Sequence, residues 1–198
     1  MIKQVIFDLG RVLLEWQPEK LAHELSLEDE SFVKEVWHIT RHPTWLQFDM
    51  GQLRSPDLID IHAEKYPKRT LQQFMDRVPH ILTLIPEGLR LLEAVKEKGL
   101  KRYILSNMSH DFYHHLIAVY PFLSEFDGSI YSCHFNLAKP DHSIYHKLLN
   151  KYHLTPNESL FVDDIPENIA SADSLGIHTV LFTKEEKTYN EFMKKLNS

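Results

Sequence analysis

Three short apolar runs, each followed at once by polar side chains, restrict the folds open to this chain more than any other feature of its sequence. They are residues 4–7 before Asp8, residues 102–105 before Ser106-Asn107, and residues 159–162 before Asp163-Asp164. Each run is rich in β-branched, aromatic or leucine side chains, which is typical of a short buried strand. A fourth run, at residues 179–182, has a similar composition. The first three runs are therefore expected to be buried strands with polar carboxyl ends.

The segments between these strands have helical periodicity. Helices are predicted over residues 86–98, 141–151 and 165–175. The first has Pro86 at its start and Gly99 just beyond its end, where these residue types are common. Strands that alternate with helices of this length predict crossover connections and a parallel sheet. In such sheets the chemistry lies outside the carboxyl ends of the strands, so the polar strand ends are expected to meet.

Residues 17–85 differ from the rest because they are rich in helix-forming residues and contain no convincing buried strand. We therefore expect an inserted helical cap over residues 17–85 and a core formed by residues 1–16 and 86–198. The aromatic side chains of this region are expected to form the hydrophobic core of the cap rather than ligand contacts. They are Trp37, Trp45, Phe48 and Phe74, together with Trp16 at the boundary. The charged segment 184–198 is expected to be a solvent-exposed helix or tail.

Composition excludes several classes of protein. The net charge of −6 over 198 residues lacks the basic excess of a general nucleic-acid binder, so no nucleic-acid partner is expected. Asp8 interrupts the N-terminal apolar run, and no stretch approaches about 18 uninterrupted apolar residues, so neither a signal peptide nor a membrane span is predicted. The single cysteine, Cys133, cannot form an intrachain disulfide, which fits the cytoplasm, and it is expected to be packed rather than nucleophilic. The sequence leaves a monomer and a dimer equally open.

The predicted strand ends and one lysine supply the groups that phosphoryl transfer requires. They are three carboxylates, a hydroxyl and an ammonium group: Asp8, Asp163, Asp164, Ser106 and Lys139. A carboxylate can attack phosphorus, oxygen ligands can hold a hard cation, and donors can stabilise phosphoryl oxygens. Each residue alone is also consistent with a turn or a helix cap. Their convergence on one edge of the predicted sheet favours a phosphoryl-transfer site.

In four places the chain resembles the haloacid dehalogenase-like superfamily. The motifs are Phe7-Asp8-Leu9-Gly10-Arg11-Val12-Leu13, Ile104-Leu105-Ser106-Asn107, Lys139-Pro140-Asp141-His142-Ser143-Ile144-Tyr145, and Phe161-Val162-Asp163-Asp164 with Asn168 following. Their order and spacing agree with the family over the whole chain. The resemblance implies an α/β fold with a Rossmann-like parallel sheet and helices on both faces. It also implies that the insertion between the first two motifs is an all-helical cap.

The resemblance further implies a Mg²⁺-dependent phosphatase that acts on a small phosphorylated metabolite, such as a sugar phosphate. Asp8 would be the nucleophile and a metal ligand, and Gly10 would offer its backbone carbonyl to the metal. Asp164 would bind the metal directly, with Asp163 beside it or one water away. The phosphoryl group would be held by Ser106, the Asn107 backbone and Lys139. Arg11 follows the site directly in sequence, so a substrate contact and a surface role are both open for it.

Gly10 departs from the pattern of most phosphatases of the family, which carry a second aspartate there to protonate the leaving group and then activate water. A glycine can do neither, which predicts slow turnover or a preference for good leaving groups. This Asp-Leu-Gly sequence resembles that of a subgroup of bacterial sugar-1-phosphate phosphatases, so Gly10 does not exclude phosphatase activity. A 2-haloacid dehalogenase that uses Asp8 and a binding protein without turnover stay open as alternatives. His110 is the first candidate for a substitute acid, although a solvated helix face is the expected place for it and for His114.

Overall fold

The computed structural model describes residues 1–25, 36 and 38–197, so the prediction for Trp37 lies outside the described residues. The strands are β1 (Gln4–Phe7), β2 (Lys101–Ser106), β3 (Gly128–Tyr131), β4 (Ser159–Asp163) and β5 (His178–Leu181). The α-helices are α1 (Pro18–Leu25), α2 (Pro43–Asp49), α3 (Ser55–His62), α4 (Lys68–Arg77), α5 (Pro86–Glu97), α6 (His110–Val119), α7 (His142–Tyr152), α8 (Pro166–Ser174) and α9 (Glu186–Leu196). Short 3-10 helices cover Val78–Ile81, Pro121–Glu125, Ser132–His134 and Pro156–Glu158.

The strands form one parallel sheet in the order β3-β2-β1-β4-β5. The chain runs outward from the central strand β1 to β2 and β3, and then returns to β4 and β5 on the other side. Phe7 at the end of β1 lies opposite Ile104 of β2 and Val162 of β4. The next residue of each strand therefore reaches the same edge, beside the point where the strand order reverses. Ligands of open α/β sheets bind at such a point.

Hydrophobic side chains cover both faces of the sheet because successive strand residues point to opposite sides. Val5 and Phe7 belong to the larger cluster, which includes residues of α5, α6 and α9. Ile6 belongs to the second cluster, which includes residues of α7 and α8. This arrangement confirms the predicted Rossmann-like sheet with helices on both faces. Within the described ranges, no helix has the length and apolar composition needed to cross a membrane.

The four strands predicted from sequence, and the helices predicted over residues 86–98, 141–151 and 165–175, agree with the observed ones to within one residue at each end. One strand was missed, and the expectation for the C-terminal segment needs revision. β3 was not predicted, because Gly128 and Ser129 dilute its apolar pattern and it is an edge strand that pairs only with β2. The C-terminal segment is not simply solvent-exposed. In α9, Phe192 is fully buried and Leu196 nearly so, because residues four apart form an apolar stripe on one face of a helix.

The described residues between β1 and α5 contain helices α1 to α4 and the 3-10 helix Val78–Ile81, as expected for a helical cap; the boundaries at residues 17 and 85 stay a prediction. Phe48 and Phe74 are buried, as predicted for a cap core. The start of α3 is bonded to α6 of the core. The Ser55 N–H and hydroxyl donate to Asp111 Oδ2 at 2.9 and 2.7 Å, and Arg54 Nε donates to Asp111 Oδ1 at 2.9 Å. These bonds link the insertion to the helix that follows β2.

Candidate active site

The polar strand ends meet at the carboxyl edge of the sheet, as the sequence predicts. Asp8 follows the central strand β1, Ser106 ends β2, and Asp163 ends β4. Lys139 reaches the same edge from the segment between the 3-10 helix Ser132–His134 and α7. The site is thus built on three neighbouring strands and one loop.

Lys139 lies between two carboxylates in the interior of the protein. Its Nζ is 2.9 Å from Asp8 Oδ1 and 2.7 Å from Asp163 Oδ2, and the lysine is 3% exposed. Burial alone would lower the pKa of Lys139, but the negative charges of Asp163 and Asp8 raise it above its ordinary value. Lys139 is therefore a fixed positive charge beside the carboxylate of Asp8.

Asp163 has its acceptor positions filled by protein donors. Besides Lys139, the Ile165 N–H donates to its Oδ1 at 2.8 Å, and Asn168 Nδ2 lies 3.0 Å from both carboxylate oxygens. A carboxylate held by this many donors is fixed in one orientation. Asp163 is thus suited to orienting Lys139, whereas Asp164 next to it forms no comparable set of bonds with the described residues and lines the neighbouring cavity.

Three carboxylates come together with one lysine. Oxygen atoms of Asp8, Asp163 and Asp164 lie within 4.8 Å of one another. Burial raises the pKa of Asp8 from its ordinary 3.8 to about 7, with Asp163 and Asp164 adding to the effect and Lys139 opposing it. Burial, together with the charge of Asp163, raises the pKa of Asp164 to about 6. Hard oxygen donors with an excess of negative charge fit a divalent cation such as Mg²⁺. The cation would relieve the repulsion among the three carboxylates.

Ser106 and Asn107, the polar residues of the second motif, have different surroundings. Ser106 lines the cavity, and within the described part of the chain its hydroxyl has a single long contact, 3.5 Å, with the Asn107 carbonyl. The Asn107 side chain instead binds the Lys139 backbone, donating to its carbonyl at 3.0 Å and accepting from its N–H at 2.9 Å. The Asn107 side chain thereby holds the lysine segment against the end of β2.

Gly10 and Arg11 belong to the same site. A Cβ placed on Gly10 would have no neighbouring atom within 4 Å, and Gly10 is not among the residues with positive φ. Arg11 adopts φ +57°, and its Nη1 is 3.9 Å from Asp164 Oδ2. Both residues line the cavity, so a substrate contact is open to Arg11.

The cavity beside Asp8 has a volume of about 300 Å³ and is lined by residues of the core and of the helical insertion. The rings of Trp16, Trp45 and Phe112 pack together there, with centroid separations of 5.7 to 6.5 Å. Leu82 and Met108 add apolar surface. Trp45 is buried in the hydrophobic core, as predicted, and Trp16 is partly buried and packs against that core. Both pack against other aromatic rings, yet both also face the space where a substrate would lie.

Asp49 is the one acidic residue of α2, and sequence reasoning missed it. It lines the cavity together with Asp8 and Lys139. Burial, with a further contribution from the charge of Asp8, raises the pKa of Asp49 to about 8, although Lys139 opposes the shift. Asp49 ends its helix, where the helix dipole disfavours a negative charge. An acidic residue at the end of the helical segment Trp45-Leu46-Gln47-Phe48-Asp49 was the one sequence signal that could have marked Asp49 as a functional residue.

His110 does not face the cavity, so its proposed role as a substitute acid has no support in the geometry. Its ring lies near His134, with a centroid separation of 5.6 Å, and ligand atoms of His110, Cys133 and His134 lie within 4.8 Å of one another. Cys133 is buried, as predicted, and burial raises the pKa of its thiol to about 11. A thiol with so high a pKa is a poor nucleophile at neutral pH.

A parallel sheet that presents a carboxylate at the end of its central strand, beside a buried lysine and two further carboxylates, defines a class of α/β enzymes. The chain belongs to the haloacid dehalogenase-like hydrolase family, whose model matches residues 2–176. It is 25% identical over 177 residues to a sesquiterpene phosphatase from Aspergillus oryzae, covering 88% of this chain and 87% of that one.

Solved structures share this fold. A HAD family enzyme from Bacteroides thetaiotaomicron superposes with a TM-score of 0.76 at 22% identity, covering 96% of this chain and 98% of that one. Its complex with magnesium and inorganic phosphate superposes with a TM-score of 0.71, covering 90% and 93%. The L-2-haloacid dehalogenase from Xanthobacter autotrophicus gives 0.67 at 22% identity, covering 98% and 83%. Likeness at this identity establishes the fold and leaves the reaction to be argued from the site.

Proposed function

We propose that the protein is a Mg²⁺-dependent phosphatase that hydrolyses a small organic phosphate through an aspartyl-phosphate on Asp8. The observation that carries the proposal is the ion pair between Asp8 and Lys139, next to the carboxylates of Asp163 and Asp164. A phosphate ester is an anion, so an anionic nucleophile needs nearby positive charge to approach it. Lys139 supplies one such charge from the protein.

The metal would be held by Asp8, the Gly10 carbonyl and Asp164, with Asp163 behind them. Asp163 already accepts bonds from Lys139, Asn168 and the Ile165 N–H, which favours Asp164 as the direct ligand. When bound, the cation would neutralise phosphoryl oxygens and bring them to the nucleophile. The relative from Bacteroides thetaiotaomicron, crystallised with magnesium and inorganic phosphate, supports Mg²⁺ as the cation.

The remaining phosphoryl contacts would come from Ser106 and the Asn107 backbone. The Ser106 hydroxyl is free of any short protein hydrogen bond among the described residues, so it can donate to a phosphoryl oxygen. Lys139 lies beside Asp8 and keeps its charge because two carboxylates flank it. The Asn107 side chain fixes the position of that lysine.

The organic part of the substrate would occupy the cavity under the insertion. A sugar phosphate is one candidate, because Glu19, Thr40 and Arg41 offer polar groups in the cavity wall. The apolar wall formed by Trp16, Trp45 and neighbouring side chains favours a second candidate, a phosphate with an apolar body. The sesquiterpene phosphatase relative agrees with the second candidate. A panel that compares sugar phosphates with prenyl monophosphates at equal concentrations separates the two.

One assay separates phosphatase activity from the two alternatives. p-Nitrophenyl phosphate should be hydrolysed with Mg²⁺ and not without it. Hydrolysis of a 2-haloacid in place of the phosphate ester would support the dehalogenase. No turnover of either, with retained phosphate binding, would support a binding protein. The excess of carboxylates over lysine at the site argues for a metal-assisted reaction and so for the phosphatase.

The stability of the metal-free protein should fall as the pH rises. The folded-state pKa values of Asp8 and Asp164, about 7 and about 6, lie above the ordinary value of 3.8. Between pH 4 and 7 the folded state therefore holds protons that the unfolded chain has released. A state that binds more protons loses stability relative to the other as the pH rises, so the free energy of unfolding falls. We expect Tm without metal to drop by on the order of 5 °C from pH 5 to pH 8, and Mg²⁺ to restore it. Scanning calorimetry at both pH values measures this. A metal-free Tm that rises over the same interval would contradict it.

Gly10→Asp should fold like the wild type. The new Cβ meets no atom within 4 Å, and the backbone at Gly10 is not in the left-handed region. We expect a cost below about 1 kcal/mol with Mg²⁺ present. Gly88→Asp is the informative contrast, because a Cβ there would lie 1.8 Å from the Val12 carbonyl oxygen. Thermal unfolding of both variants is the measurement, and a loss at Gly10 as large as that at Gly88 would refute the expectation.

A further inference from the structure

The proposed reaction needs a proton donor, and Gly10 has no side chain that could supply the proton. Breaking the bond between phosphorus and a poor leaving oxygen requires a proton, and the later attack by water requires a base. His110, the candidate from sequence, does not line the cavity. Among the described carboxyl and imidazole side chains that do line it, Asp8 and Asp164 belong to the metal and nucleophile set, which leaves Glu19 and Asp49. Glu19 is paired with Arg41 at 3.1 Å.

We propose that Asp49, contributed by the helical insertion, is the general acid and base of this site. The carboxyl group of Asp49 forms no hydrogen bond or ion pair with any other described side chain, although it lines the same cavity as Asp8 and Lys139. An unpaired carboxyl group in such a place is unfavourable for stability, which is a common feature of groups kept for chemistry. This inference rests on the proposed phosphatase function and deepens it.

The direction of the reaction agrees with this placement. In phosphoryl transfer the attacking and leaving oxygens lie roughly in line through phosphorus. With Asp8 attacking from the end of β1, the leaving oxygen would point away from Asp8 and into the cavity, whose wall includes residues of the insertion. Asp49 at the end of α2 belongs to that covering wall.

The position of Asp49 is fixed by contacts with the core. The buried Ser132 hydroxyl donates to the Asp49 carbonyl at 2.5 Å and accepts from the Met108 N–H at 2.8 Å. Met108 follows Ser106-Asn107 in the chain, so one serine ties the end of α2 to the phosphate-binding segment. Gly51 allows the approach, since a Cβ there would lie 2.8 Å from the Cys133 carbonyl oxygen.

The protons balance over two steps. As Asp8 forms its bond to phosphorus and the ester bond breaks, the leaving oxygen takes the proton of Asp49, giving the alcohol and the Asp49 carboxylate. Water then attacks the aspartyl-phosphate, and the Asp49 carboxylate accepts its proton while the bond between phosphorus and Asp8 breaks. Inorganic phosphate leaves, and Asp8 and Asp49 return to their starting states. The partly buried position of Asp49 disfavours its charged form and so favours the protonated starting state.

The test is a leaving-group comparison with Asp49→Asn in the presence of Mg²⁺. For alkyl phosphates, kcat/KM should fall by about 10²–10⁴-fold, because the alkoxide needs a proton. For p-nitrophenyl phosphate, whose leaving group needs none, kcat/KM should change by less than about threefold. Asp76→Asn, at an exposed carboxylate of α4, is the matched control and should change neither. Asp49→Ser, which also lacks a carboxyl group, should repeat the pattern of Asp49→Asn.

Equal losses on both substrate types would show that Asp49 acts only through structure, and unchanged alkyl phosphate turnover would show that it takes no part; either result overturns the inference. Restoration of alkyl phosphate turnover by Gly10→Asp in the Asp49→Asn protein would strengthen it. If the wild type itself has no Mg²⁺-dependent phosphatase activity, the proposed function has failed. If the wild type is active and Asp49→Asn shows equal losses, only the assignment of Asp49 has failed.

Discussion

Asp8→Asn should abolish phosphatase turnover, with a loss on the order of 10³-fold or more, because an amide cannot attack phosphorus as a carboxylate does. The fold should survive the change. Lys139 keeps its 2.7 Å ion pair with Asp163, and the amide occupies the volume of the carboxyl group that it replaces. Since burial disfavours the charge of Asp8, we expect Tm near neutral pH to stay equal or to rise slightly. Steady-state kinetics and thermal unfolding on one preparation provide both measurements.

The matched control for Asp8→Asn is Asp173→Asn, an exposed position on α8 away from the site, which should retain full activity. Mass spectrometry must show that the amide at residue 8 has not deamidated to aspartate. With that excluded, more than about a tenth of wild-type activity in Asp8→Asn would rule out the aspartyl-phosphate route. Trapping of a phosphorylated protein in the wild type and not in the variant would give direct support.

Removal of divalent cations should produce the second large effect, a loss of nearly all activity. The negative charges of Asp8, Asp163 and Asp164 are offset mainly by the buried Lys139, with the half-exposed Arg11 near Asp164, so a phosphate anion would meet net repulsion without a cation. Excess EDTA should abolish turnover of p-nitrophenyl phosphate, and Mg²⁺ added above the chelator should restore it. Ca²⁺ is the useful control cation, because its larger radius and looser coordination fit a tight oxygen site poorly.

A substitution separates the role of the metal from that of the fold. Asp164→Asn should raise the Mg²⁺ concentration needed for half-maximal activity by about tenfold or more, since it removes one charged ligand. The same change at Asp173 should leave the Mg²⁺ requirement unaltered. Full activity in excess EDTA would overturn the magnesium assignment and return attention to the dehalogenase, which uses the same carboxylate without a metal.

Local sequence patterns determined the sheet and its reactive edge. An apolar run of four or five residues with a polar ending is a local signal, and parallel crossover connections bring all such endings to one edge. Asp8, Ser106, Lys139 and Asp164 could therefore be placed together before any coordinates were known. The weak edge strand β3 was missed because a strand exposed at the sheet edge carries fewer apolar residues.

The orientation of the helical insertion was decided only by the tertiary structure. Helical periodicity shows which side of a helix is apolar, but not which apolar side faces a ligand and which faces other helices. Long-range bonds settle that question here, from Ser132 to the Asp49 carbonyl and from Arg54 and Ser55 to Asp111. They turn Asp49 and Trp45 toward Asp8, while His110 lies outside the cavity. Contacts between residues so far apart in the chain leave no periodic pattern in the sequence. For that reason only the tertiary structure shows that Asp49 and Trp45 of the insertion line the site.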